Sequence, residues 1–248
     1  TRTKAELQAL AEPFPEDGIY ALAMNAAGTE LAGVTFPGGR LFSMALPDGQ
    51  PVERAVLTRE TRPPMEDSCS YTWMQVRVGR VLAYGADGTL YAGADSADLV
   101  VLAPGAAAVT RHTLPLPAGF RWSECEVRSL AVAPDSRIFI GTVRGYLMAF
   151  DPATRTFRNL GRPARQGQVR ALTWIGDRLF GLCGEPYGAT VLFGFAPDGS
   201  YTLPDIPAPQ GYEMQFYNDS FETLLAEPNG CLWLGGAGRM TGVLKMKP

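Results

Sequence analysis

One histidine, His112, serves the whole 248-residue chain, so any Ser-His-Asp or Cys-His mechanism would have to run through that single side chain. Cysteine is nearly as scarce. Cys69, Cys125, Cys183 and Cys231 show no CxxC spacing, which argues against a structural zinc site and leaves one disulfide or none. No apolar run approaches the roughly 18 residues that a helix needs to cross a bilayer. Net charge is small as well: Lys and Arg number 22 against 25 Asp and Glu, so neither nucleic acid nor a membrane is expected as a partner. The opening "TRTKAELQALAEP" lacks the pattern of a signal peptide. With threonine first, an export signal already removed stays an open reading, and so does the compartment.

What the chain does have is 46% apolar residues, enough for a sizeable core, and a recurrent frame. Five segments begin at a leucine and end at a glycine that closes an apolar strand: "LAMNAAGTELAG", "LAYGADGTLYAG", "LAVAPDSRIFIG", "LTWIGDRLFG" and "LLAEPNGCLWLG". The anchors are Leu22, Leu82, Leu130, Leu172 and Leu224, paired with Gly33, Gly93, Gly141, Gly181 and Gly235. Each copy reads as an apolar run, a polar turn such as "ADGT", "PDSR" or "PNG", and a second apolar run, which is a β-hairpin. A third strand follows every time, and in four copies a further turn leads to a more polar fourth strand.

Four antiparallel strands repeated about an axis make a propeller, and a repeat of roughly 40 to 50 residues suits it. The expected fold class is therefore all-β: a single β-propeller domain over residues 1–248, with five blades near 19–58, 77–117, 127–162, 168–206 and 221–248. Stacked solenoid coils or a two-sheet sandwich also use short strands, but they suit an irregular four-strand unit less well. The last copy stops after its third strand. Residues near Glu6 to Leu10 are expected to supply the missing outer strand and close the ring, since an unpaired edge invites aggregation. A short N-terminal helix is the competing reading, because Lys, Ala, Glu, Leu and Gln are good helix formers. The glycines of "WLGGAGRMTGVLKMKP" lead from strand to strand, whereas a phosphate cradle leads into a helix N-terminus, so no nucleotide cofactor is expected.

In a propeller, the loops joining strands one to two and three to four share one face, and the remaining loops share the other. The first face carries only Asp, Gly, Pro and Asn turns and reads as structural. The second collects the longer segments, among them "RETRPPMEDSCSYTWM", "AGFRWSEC", "CGEPYGA" and "APQGYEMQFYNDSF", and long loops on a rigid scaffold are where binding groups are carried. The expected ligand-binding residues are Asp67, Tyr71, Trp73, Arg121, Trp122, Arg144, Asn218, Asp219 and Arg239. Aromatic rings there offer flat apolar faces with polar edges, and arginines clamp an anion through parallel hydrogen bonds. A sugar, an acidic one in particular, suits such a lining.

Glu124 and Glu185 are the candidate acid and base of a glycoside hydrolase, and Tyr187 or Tyr217 the candidate base of a β-eliminating lyase. Asp67, Glu124, Asn218 and Asp219 are the oxygen donors that could hold calcium, although their spacing does not demand it. Blander roles compete throughout: aromatics pack between blades, arginines pair with nearby carboxylates, and Asp67 and Asp219 cap turns. Cys69 and Cys125 fall in loops of neighbouring blades and could pair. His112 belongs to the outer strand of the second blade, away from the axis.

The segments "LAVAPDSRIFIGTVRGYLMAFDPATRTFRNLG" and "LAYGADGTLYAG" resemble the blades of bacterial propellers of the broad group that includes NHL, SMP-30-like and two-component-regulator proteins. The resemblance implies the fold and not an activity. SMP-30-like lactonases usually have six blades and an axial divalent metal, while this chain shows five and lacks their early Glu-Pro-Trp signature. Three readings of function follow: a carbohydrate-active enzyme, a non-catalytic propeller that binds a glycan or small molecule, or a scaffold for a protein partner. Loops that differ from blade to blade favour one asymmetric site over a repeated lectin-like pocket.

Overall fold

The computed structural model describes residues 14–58, 81–94, 97–117, 127–164, 167–184, 190–206, 221–236 and 242–248, and every regular element among them is a β-strand. The hairpins form because their turns are specified locally. Asp87, Asp135 and Asn229 each accept the backbone N–H two residues on, from Thr89, Arg137 and Cys231, at 3.0 to 3.1 Å. Such side-chain turns fix the reversal before any long-range contact exists. Gly88 and Gly230 supply the left-handed residue that follows, with φ of 82° and 83°, and Ser136 fills the same place at 69°.

Among the described residues five antiparallel sheets result, each meandering in chain order. The first holds β1 (Gly18–Met24), β2 (Glu30–Phe36), β3 (Arg40–Ala45) and β4 (Val52–Val56). The second holds β5 (Leu82–Tyr84), β6 (Leu90–Gly93), β7 (Asp98–Leu102) and β8 (Thr110–Thr113). The third comprises β9 (Val127–Val132), β10 (Ile138–Thr142), β11 (Leu147–Asp151) and β12 (Thr156–Asn159). The fourth comprises β13 (Gln168–Ile175), β14 (Arg178–Gly184), β15 (Thr190–Phe195) and β16 (Tyr201–Thr202). The fifth has β17 (Phe221–Ala226), β18 (Leu232–Gly236) and β19 (Val243–Met246). This is the β-propeller arrangement that the frame predicts. The first strands of consecutive sheets touch one another, which places them innermost, around the axis.

Packing between blades explains why the second strands read as unbroken apolar runs. Ile138 and Ile140 of β10 join a buried cluster with Tyr91 and Leu99 of the second blade, while the intervening Phe139 joins one with Leu179 and Phe193 of the fourth. Similar clusters join blades one and two around Val34, Leu41, Leu90 and Val100, and blades four and five around Phe180, Leu182, Leu232 and Leu234. The frame glycines have a packing reason. A Cβ at Gly181 would collide with the Phe193 ring and the Leu172 side chain, and one at Gly33 would meet Phe42 and Leu22 in the same way. In the first and fourth blades leucine, glycine and third-strand aromatic thus form a packed trio, while Gly93, Gly141 and Gly235 are crowded by Val127, by Ser129 and Val169, and by Thr223.

Among the described residues no comparable packing joins β17 to β1. The flank of β1 exposes Ile19, Leu22 and Met24 by 48 to 59%, and Leu225 and Val243 of the fifth blade are exposed by 65 and 67%. The expected closing strand near Glu6 to Leu10 lies outside the described residues, as do Cys69 and Cys125. His112 stands on the outer strand β8 and stacks on Phe150 of the next blade at 5.0 Å, an inter-blade packing role. Among the described residues no helix is long and apolar enough to cross a membrane.

Candidate functional site

Two residues before the anchor leucine, four of the first strands carry an extra residue among the described residues. Val127 pairs with Thr142 and Ser129 with Gly141, so Arg128 falls between rungs of the ladder. Arg170 is passed over in the same way between Val169 and Ala171, Glu222 between Phe221 and Thr223, and Tyr20 between Ile19 and Ala21. A β-bulge leaves its extra residue unpaired and re-aims that side chain. Here the device recurs at one level of the ring. It is the end where the chain enters the inner strands and leaves the second strands, which is the long-loop end.

Three of the bulged residues converge. Glu222 accepts a hydrogen bond from Arg128 Nη2 at 2.6 Å through one carboxylate oxygen, and its other oxygen lies 3.3 Å from Arg170 Nη1. Arg128 also donates from Nε to Gln168 Oε1 at 3.2 Å. Arg170 donates from Nε to the Gly184 carbonyl at 3.1 Å and from Nη1 to the Phe221 carbonyl at 3.4 Å, which ties the fourth blade to the fifth. Its side chain is only 1% exposed, against 16% for Arg128 and 27% for Glu222.

One donor of the arrangement has no acceptor: Arg170 Nη2 is buried without any hydrogen-bond partner. A buried donor left unsatisfied costs about 1 to 3 kcal/mol, more when charged, so this atom marks a place for an acceptor. Arginine does not give up its proton in proteins, so the cluster is equipped to recognise an anion rather than to transfer protons.

Of the residues expected to form the site, Asp67, Tyr71, Trp73, Arg121, Trp122, Glu124, Glu185, Tyr187, Tyr217, Asn218, Asp219 and Arg239 lie outside the described residues. Arg144 is described, exposed at a tight turn that Gly145 N–H closes onto the Thr142 carbonyl at 3.1 Å. Sequence reasoning passed over Arg128, Gln168, Arg170 and Glu222. Their signal was available in "EVRSL", "QVRAL" and "FETLL", where a charged residue interrupts an apolar strand at a fixed step before the anchor.

The short-turn face, read as purely structural, holds a cavity of about 350 Å³ between blades three and four. Phe139, Trp174 and Phe195 line it, and Trp174 Nε1 is buried without a partner. Its rim pair, Asp135 and Arg137 at 2.6 Å, is about half exposed and mutually satisfied, so it offers less to a charged ligand than the axial cluster does. No three His, Cys, Asp or Glu side chains group as metal ligands among the described residues.

No family model matches the chain, and no curated protein matches it by sequence. Solved structures match it by shape. Virginiamycin B lyase from Staphylococcus aureus, in a catalytically inactive form with Quinupristin, superposes with a TM-score of 0.66 at 13% identity, over 98% of this chain and 74% of that one. A chain of the nidogen/laminin complex gives 0.63 at 10% identity, over 94% of this chain and 77% of its own. The β-propeller domain of Cps50 (Swd1) from Myceliophteria thermophila gives 0.59 at 12% identity, over 92% and 69%. These identities speak for architecture alone, and by architecture the chain is a β-propeller.

Proposed function

We propose that this protein binds an acidic, polar small molecule of sugar-like character at the long-loop end of its axis. The observation that carries the reading is the buried Arg170 Nη2 without an acceptor, beside a second arginine on the neighbouring blade. A carboxylate of a uronic acid would supply the acceptor in the planar, two-pronged geometry that guanidinium favours. The loop residues named from the sequence share this neighbourhood along the chain. Glu185 and Tyr187 follow Gly184, Asn218 and Asp219 precede Phe221, and Glu124 precedes Arg128 by four positions.

Catalysis on such a ligand, as lyase or hydrolase, would fall to Glu124, Glu185, Tyr187 or Tyr217. The lyase that matches by shape is inactive in a histidine-to-alanine variant. The single histidine here stands on an outer strand, and binding is placed ahead of turnover. A protein-interaction scaffold is the second reading, favoured by the exposed Ile19, Leu22 and Met24 on β1.

The test is a thermal-shift and calorimetric titration with D-galacturonate and D-glucuronate, against galactose and glucose as neutral controls. A ligand selective for the native state raises the melting temperature. Uronates are expected to do so and neutral sugars to fail, with the response lost in Arg128→Gln. Equal responses to both classes, or none to either, would sink the reading.

A further inference from the structure

The axial cluster already contains an anion of its own. Glu222 lies between Arg128 and Arg170, within 2.6 and 3.3 Å of their nitrogens, and so engages both. It is also the most exposed member of the three. Its strand β17 ends the run of bulges, so this carboxylate reaches the arginines from a separate blade and can swing away without disturbing β9 or β13. We infer that Glu222 is an internal competitor: it occupies the guanidinium groups while the site is empty and is displaced when an external carboxylate binds. The inference rests on the axial reading above and adds to it the residue that sets the threshold for an anionic ligand.

Electrostatics gives the sign. With Glu222 in place the three side chains carry a net charge of one positive unit, and an incoming carboxylate must break existing charge-assisted hydrogen bonds before making its own. Neutralising Glu222 makes this trio one unit more positive and removes that cost, so affinity rises for anions and not for neutral sugars. A residue that merely contacted the ligand would act in the opposite direction, because its loss would weaken binding. A purely structural residue would lower the melting temperature and leave ligand affinity alone.

The experiment compares D-galacturonate binding to the full chain and to Glu222→Gln by calorimetry, with galactose as the neutral control. The variant is expected to bind the uronate about tenfold more tightly or better, the scale of one charge-assisted hydrogen bond no longer broken. It is also expected to melt lower than wild type without ligand and to recover in uronate. Should Glu222→Gln fail to fold, Glu222→Asp replaces it: one methylene shorter, it reaches a single guanidinium and tightens binding by a smaller factor. Binding by wild type with equal or weaker affinity in the variant overturns the competitor role and leaves the axial reading standing. A gain in the variant without measurable binding by wild type means that Glu222 is not displaced, and overturns both the competitor role and the functional reading. Binding by neither overturns both.

Discussion

Arg170 of the fourth blade meets Glu222 of the fifth at 3.3 Å, and the same guanidinium holds the carbonyls of Gly184 and Phe221. One side chain is therefore a seam between blades and, in the proposed function, also a recognition group. Arg170→Met would leave two carbonyls without their donor and Glu222 with a single partner. The expected loss is about 3 kcal/mol in urea unfolding, the scale of a broken buried pair. Arg137→Met, which removes the exposed pair with Asp135, is expected to cost no more than about 1 kcal/mol. Comparable losses for the two would contradict the weight placed on burial.

The packed trio of Leu172, Gly181 and Phe193 gives a second expectation. Gly181→Ala pushes a methyl group into the Phe193 ring and should cost about 1 to 3 kcal/mol, typical of overpacking. Adding Phe193→Leu should return part of that loss, so the double variant is more stable than the two single costs add up to. Additive losses in denaturant titration would mean that the two side chains do not meet.

Glu227 sets a pH dependence. Lys245, Trp233 and Asn229 all donate to its carboxylate, and they pull it down from its ordinary 4.5 to about 2. A carboxylate with a depressed folded-state value stabilises the protein above its unfolded-state value and ceases to do so as pH falls through the folded one. Wild type should therefore exceed Glu227→Gln in stability above about pH 5, and the gap should close between there and about pH 2. Urea midpoints measured down that series check it; a gap that widens in acid would refute the assignment.

Cysteine chemistry offers a fourth check. Burial pushes the Cys183 thiol up to about 12, so at neutral pH it is a protonated member of the cluster between blades three and four. Cys231 is partly exposed. Iodoacetamide followed by peptide mass spectrometry should label Cys231 well before Cys183, and the difference should vanish in denaturant.

The architecture was legible because its causes are local. Turns such as "ADGT" and "PDSR" carry their own hydrogen bonds, and each frame glycine sits where a Cβ would strike a neighbouring side chain. The site was legible only in its residue types. Arg128, Arg170 and Glu222 come together through a bulge, and a bulge leaves no mark on composition or on hydrophobic period; it shows only when one strand is counted against its partner. Loops drew attention because they are long and chemically mixed, whereas the described polar cluster sits inside strands that otherwise serve the core.

A residue outside the ladder answers to a different demand from its neighbours. At the recurring step two places before the anchor, the described blades hold a tyrosine, two arginines and a glutamate, and in three of them the residue just before it, Val127, Val169 or Phe221, is apolar and buried. The sheet tolerates a ring, a cation or an anion there because none of them takes part in the pairing. Mutation can thus rewrite the chemistry facing the axis one blade at a time while the hydrogen bonds that define each blade stay as they are. In such strands the pairing and the chemistry near the axis are written on separate letters, although Arg170 shows that one of those letters can also tie two blades together.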